Sequence, residues 1–125
     1  IVLCGITATP PNAEIHKTAL GAEFTVEWQY AADAVAAVAA LKAAGYVVLA
    51  VEQAEGSVSM DDFVPERGRK YAVVLGNEVK GVHQAVVDAS DACLELPQFG
   101  TKHSLNVSVA AGIVIWEMAK MCRTR

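Results

Sequence analysis

Long apolar runs are missing from this chain of 125 residues: stretches such as residues 109–116 reach only about half of the roughly 20 needed to span a bilayer. A basic excess is missing as well. Ten Lys and Arg stand against 14 Asp and Glu, for a net charge of -4. Strongly cationic nucleic-acid binders look different, so any RNA contact has to come from a local patch. The three cysteines, Cys4, Cys93 and Cys122, lie far apart and show neither CxxC nor His-ligand spacing. That argues against a zinc site or a disulfide framework and for buried thiols in a reducing cytoplasm. Low-complexity tails, repeats and linkers are lacking. The start has no initiator Met and no basic stretch, so residues 1–6 read as a strand under way rather than a signal peptide, and the true beginning is expected upstream. What is present is apolar. Hydrophobic residues make up 54% of the chain, too many for a disordered tail and enough for one domain, residues 1–125, to build its own core.

Short β-branched runs alternate with longer Ala-rich segments, the pattern of an α/β fold with a mainly parallel sheet flanked by helices. Residues 1–6 form the first expected strand, broken at Thr9-Pro10-Pro11-Asn12 because two prolines fix φ and remove two donors. A short helical turn is predicted over 14–20 and a second strand over 24–29. Nine of the fourteen residues 31–44 are Ala, which predicts a helix with Asp33 at its cap or first turn and Gly45 closing it. Residues 46–51 read as a strand buried on both faces, since apolar residues do not alternate with polar ones. An irregular stretch over 54–70 precedes another buried strand at 71–75, a helix near 82–90 and a last strand at 92–96. A closing helix over 104–121 takes Ser104 as its N-cap. Between Leu105 and Met118 its only polar side chains are Asn106, Ser108 and Glu117. A surface helix would show one wet face, so this one is expected to be covered on two sides, the second cover being another subunit of a homodimer.

Two strand-to-helix junctions carry the chemistry. In Val73-Val74-Leu75-Gly76-Asn77-Glu78-Val79-Lys80-Gly81-Val82, a Gly directly after a buried strand allows a ligand to approach the backbone. The Gly76-to-Gly81 spacing imitates a P-loop, but Val82 and His83 stand where the Lys and hydroxyl residue belong, which excludes an NTPase. No GxGxxG supports a dinucleotide fingerprint. The same residues equally describe a plain turn with Glu78 near a helix N-terminus. In the second junction, Leu96-Pro97-Gln98-Phe99-Gly100 leads through Thr101, Lys102 and His103 to Ser104-Leu105-Asn106. Ser104, Asn106 and the free N–H groups of a helix start form a polar mouth suited to an anion or the polar edge of a ligand. A merely capped helix with Asn106 bonded internally fits these residues too.

Leu75-Gly76-Asn77-Glu78-Val79-Lys80-Gly81-Val82 resembles the second signature of SpoU-type (TrmH-like) RNA ribose 2′-O-methyltransferases of the SPOUT superfamily. Leu96-Pro97-Gln98-Phe99-Gly100 followed by Ser104-Leu105-Asn106-Val107-Ser108-Val109-Ala110 resembles their third. The early segment Lys17-Thr18-Ala19-Leu20-Gly21-Ala22 also fits. The resemblance implies an α/β sheet with a C-terminal deep trefoil knot, a cytoplasmic homodimer through the last helix, and S-adenosyl-L-methionine as methyl donor for a ribose 2′-hydroxyl of tRNA or rRNA. It implies donor contacts at Ala50, Val51, Glu52, Gly76, Leu96, Pro97 and Leu105. Catalytic roles fall to Glu78, which would brace the first-signature side chains, and to Ser104 and Asn106, which would position the substrate. Lys17, Lys80, Lys102 and His103, with His83 nearby, are the candidate RNA contacts.

The family's first signature, an Asn-rich segment with an Arg, has no match here: Arg67, Arg69, Arg123 and Arg125 lie in other contexts. The expectation is that the strand and helix carrying it precede Ile1. A catalytically inactive SPOUT-like module for RNA binding or assembly is one alternative. A flavodoxin-like nucleotide switch, motivated by glycine turns after strands, is another.

Overall fold

The computed structural model describes residues 1–77, 80–99 and 105–123. The chain runs through β1 (Val2–Cys4), α1 (Ala13–Ala19), a 3-10 turn (Ala22–Phe24), β2 (Gln29–Ala31), α2 (Ala34–Ala43), β3 (Tyr46–Val51), β4 (Val58–Ser59), β5 (Lys70–Val74), α3 (Gln84–Ala89), β6 (Ala92–Glu95) and α4 (Val107–Arg123). Among the described residues every strand pairing is parallel. The strands form two sheets, β1 beside β2 and β4-β6-β3-β5. This is the expected α/β class.

The centre of the larger sheet is β3, and its unbroken apolar sequence explains why. Val48, Leu49 and Ala50 are buried, and the two faces they serve hold separate clusters. Val48 packs with Val38 of α2 and Val86 of α3. Leu49 packs with Leu94 of β6 and with Val114 and Met118 of α4. Helices therefore cover both faces, as a parallel sheet requires.

Side-chain caps set three helix starts. Asn12 accepts the N–H groups of Glu14 and Ile15 at 2.9 and 3.1 Å, and Asp33 that of Val35 at 2.9 Å. Asn106 does the same for α4, accepting the N–H of Ser108 at 2.9 Å. The helix thus begins at Val107, later than the predicted 104, and Ser104 lies outside the described residues.

Three further expectations are corrected. The strand predicted over 24–29 begins only at Gln29. Leu20 and Gly21 both take left-handed φ, 53° and 90°, and turn the chain into the 3-10 segment. There Glu23 reaches back to His16 Nδ1 at 2.9 Å. The stretch 54–70, expected to be irregular, contributes β4 as an edge strand, with Val58 opposite Leu94 and Ser59 opposite Glu95. Cys4 and Cys93 are half-buried but Cys122 is exposed, on the outward side of the last turn of α4, so the three thiols are not all interior.

The last helix buries Val114 and Met118 and leaves Val109, Ile113, Ile115 and Trp116 exposed, Trp116 to 61%. Among the described residues no helix is long and apolar enough to cross a membrane. Truncating Leu94 to Ala should cost about 2–5 kcal/mol in urea unfolding, because it is fully buried in the cluster with Leu49, Val114 and Met118. Asp33→Ala should cost about 1 kcal/mol, the loss of one cap.

Candidate functional site

Parallel pairing sends the C-terminal ends of β3, β5 and β6 to the same edge of the sheet. Ala50 lies opposite Val74 of β5, and Val51 opposite Leu94 of β6. Glu52, the segment Leu75-Gly76 and the segment Leu96-Pro97 therefore leave the sheet side by side. The crevice outside such carboxyl ends is where open α/β sheets bind ligands.

The first junction is folded back on itself. Gly81 donates its N–H to the Asn77 carbonyl at 2.6 Å, and Lys80 donates to Asn77 Oδ1 at 3.1 Å. Gly81 takes φ +68°, a left-handed value that glycine adopts without penalty. A Cβ placed on Gly76 would overlap the Gly81 carbonyl group and the Val82 nitrogen. The absent side chain at Gly76 thus makes room for the chain's own backbone.

Glu52 ties this loop to the sheet. Its Oε2 accepts the Val82 N–H at 2.8 Å and its Oε1 the Gln53 N–H at 3.3 Å. Its own N–H donates to the Leu94 carbonyl at 3.1 Å. Neighbouring Cys93 has its thiol pushed above the usual range by burial, then by the carboxylates of Glu52 and Asp88. Burial and Asp33 push Cys4 the same way.

The second junction borders a cleft of about 380 Å³ lined by Leu96, Pro97 and Leu105 together with Met60, Asp61, Phe63, Ile113, Glu117 and Met121. Seven of the nine lining residues are apolar, but Asp61 and Glu117 make the exposed lining nearly as polar as it is apolar, and the volume falls within the ~300–1,000 Å³ of small-molecule sites. Of the seven candidate donor-contact residues, three line this cleft. Glu52 and Gly76 belong to the neighbouring loop clamp, Val51 is half-buried at the end of β3, and Ala50 is 0% exposed inside the sheet. Sequence reasoning missed Met60, Asp61 and Phe63, since only the pairing of β4 with β6 brings their segment to the site. It also missed the bonding role of the Glu52 carboxylate.

Asn106 is exposed, with Oδ1 engaged by the N–H and Oγ of Ser108. Glu78, Lys102, His103 and Ser104 lie outside the described residues. Lys17 is exposed in the last turn of α1, and Lys80 is exposed in the first junction. His83 is exposed just before α3. These basic groups sit on separate elements. Among the described residues no cluster of His, Cys, Asp and Glu could hold a metal.

The glycine geometry predicts opposite effects for one substitution type. Gly76→Ala should lose about 1–3 kcal/mol in urea unfolding, because backbone fills the Cβ position. Gly112→Ala, on α4 with open space around the added carbon, should gain about 0.5–1 kcal/mol from helix propensity.

Comparison with known proteins gives one direction. The sequence model of the SpoU rRNA Methylase family matches residues 1–116. The mouse tRNA (guanosine(18)-2′-O)-methyltransferase TARBP1 is 39% identical over 80 residues, which is 63% of this chain and 5% of that protein. The 23S rRNA (guanosine-2′-O-)-methyltransferase RlmB of Neisseria meningitidis serogroup B is 31% identical over 106 residues, or 85% of this chain and 41% of the relative. The chain thus spans less than half the length of either. The AdoMet-bound rRNA methyltransferase of Sinorhizobium meliloti superposes with a TM-score of 0.86 at 28% identity, covering 96% of this chain and 45% of that one. With the family match extending from β1 into α4, the chain belongs to the SpoU rRNA methylase family.

Proposed function

We propose that this chain is the donor-binding domain of an S-adenosyl-L-methionine-dependent RNA ribose 2′-O-methyltransferase acting on tRNA or rRNA in the cytoplasm. The observation that carries this reading is the convergence of three parallel strand ends beside a cleft bordered by the apolar side chains of Leu96, Pro97 and Leu105. Such a slot, with backbone groups at its edge, suits an adenine ring. Asp61 adds negative charge to the lining, which suits a cationic sulfonium.

Leu96, Pro97 and Leu105 would flank the adenosine, with the β3 end at Ala50–Glu52 and Gly76 supplying the adjoining wall. When bound, the donor supplies a methyl group activated by the sulfonium. A ribose 2′-hydroxyl is a weak nucleophile at neutral pH, so its proton must be removed and its approach fixed. In this reading an Arg of the first signature, which these 125 residues do not contain, would fix the hydroxyl and stabilise the negative charge developing on it as its proton leaves to solvent. Arg69 is 3.8 Å from Glu66, and Arg123 lies over the Trp116 ring. Glu78 would brace that Arg. Ser104 and Asn106 would orient the ribose-phosphate, Asn106 through its amide nitrogen because its oxygen already caps α4.

The same reading threads the chain ahead of α4 through the preceding loops as a deep trefoil knot. It pairs two copies along the exposed Val109, Ile113 and Trp116 of α4. Lys17, Lys80, Lys102 and His103 would meet RNA phosphates, offsetting the net charge locally. A catalytically silent RNA-binding module is the second reading, favoured by the lack of any Arg in a first-signature context.

Calorimetric titration with S-adenosylhomocysteine should give saturable one-site binding, and no binding by a folded dimer sinks the proposal. The 125-residue chain alone should transfer little tritiated methyl to tRNA or rRNA, whereas brisk transfer would mean the group that activates the hydroxyl lies within it. Replacing Lys80 with Ala should lower the slope of log K for RNA against log salt by about 1.

A further inference from the structure

The residue Glu52 has bonds to both junctions of the candidate site. Through its backbone N–H it holds the Leu94 carbonyl, at 3.1 Å, near the end of the strand that leads to Leu96-Pro97. Through Oε2 it holds the Val82 N–H, at 2.8 Å, on the far side of the Gly76–Val82 loop. The bond to Val82 spans 30 residues and the one to Leu94 more, so neither follows from local turn geometry. Loop and carboxylate are also matched in shape: a side chain at Gly81 would overlap the Glu52 carboxylate. Gly76 in turn is backed directly against Gly81. Moving the carboxylate therefore removes the support on which Gly81, and behind it Gly76, rests.

We infer that Glu52 is a positioning residue, whose carboxylate locks Gly81 and Val82, and through Gly81 the backbone of Gly76, against the end of β3 and so fixes the donor-contacting backbone before any ligand arrives. The inference rests on the donor-binding reading above and changes the part Glu52 plays in it, from a wall of the pocket to the fastener of the loop. A carboxylate that accepts a backbone N–H beside a sheet end is a charge-assisted bond. Preorganising a loop in its bound shape improves affinity by removing the cost of ordering it on binding.

Two substitutions separate this role from direct ligand contact. Glu52→Gln keeps an oxygen that can accept the Val82 N–H while removing the charge. Glu52→Ala removes the acceptor and leaves the N–H without its partner. The loop is read first without ligand, by amide hydrogen exchange in the 125-residue chain. The Val82 amide should stay protected in the wild type and in E52Q and exchange at least tenfold faster in E52A. Equal protection in wild type and E52A overturns the inference whatever the ligand does. If E52A does not fold, Glu52→Ser, whose hydroxyl is too short to reach Val82, replaces it with the same expected loss of protection.

Affinity for S-adenosylhomocysteine is read second. E52A should bind at least tenfold more weakly than wild type, with E52Q within about threefold of it. Loss in E52Q as large as in E52A overturns the fastener role in favour of a contact between ligand and charge. A wild-type chain with a protected Val82 amide and no affinity for the nucleoside sinks the donor-binding reading and leaves the loop clamp standing on the exchange result.

Discussion

Everything at the candidate site depends on β3 being hydrogen-bonded on both edges. A strand with one parallel neighbour presents one loop at its carboxyl end. A strand with two presents a pair of loops in fixed relation, one from each side. Here β5 and β6 flank β3 in parallel. Segments distant in the chain, the Gly76 loop and the Leu96-Pro97 segment, come off the sheet next to Glu52. The apolar residues of β3 serve this arrangement by burying themselves on both faces, Val48 toward α2 and α3, Leu49 toward α4. Burial on two faces is what makes the strand central, and centrality is what makes the junctions neighbours.

The burial pattern of β3 was legible because a continuous β-branched run has few other homes. Caps were legible for the same reason: Asp33 before an Ala-rich segment has one obvious use, and the structure has it accepting from Val35 and Ala36. The signatures around Gly76 and Leu96 were legible as residue strings. What they do to one another was not. Nothing in Gly76-Asn77-Glu78-Val79-Lys80-Gly81 announces that the two glycines stand back to back, or that a carboxylate from another strand supports the second. The first is a local fold-back that no residue type dictates; the second crosses 30 residues and is set by strand order, which is not written in local periodicity. The two-residue β4 was hidden for a related reason. Val58-Ser59 has no pattern of its own and is a strand only because the edge of β6 is there to receive it.

The last helix divides around its circumference into two environments. Val114 and Met118 belong to the core, whereas Val109, Ile113, Ile115 and Trp116 face outward. A sequence apolar all round fits this geometry only in part, because a single domain of this size covers one side. Asn106, expected at a ligand mouth, is also the residue that starts this helix. One amide thus sits where the core helix and the cleft wall begin, and Leu105, just before it, both lines the cleft and packs on the core. Stability and ligand shape share residues at this end of the molecule.

The back-to-back glycines have a consequence for how such a chain can vary. Because Gly76 and Gly81 touch through their backbones and are bridged by the bond from Gly81 to Asn77, the number of residues between them is fixed by geometry rather than by composition. A one-residue insertion or deletion there would rotate Gly81 off the Glu52 carboxylate and turn its successor, Val82, away from its acceptor. Spacing is thus held more tightly here than in the 54–70 stretch, where divergence among homologous chains is expected to place its gaps.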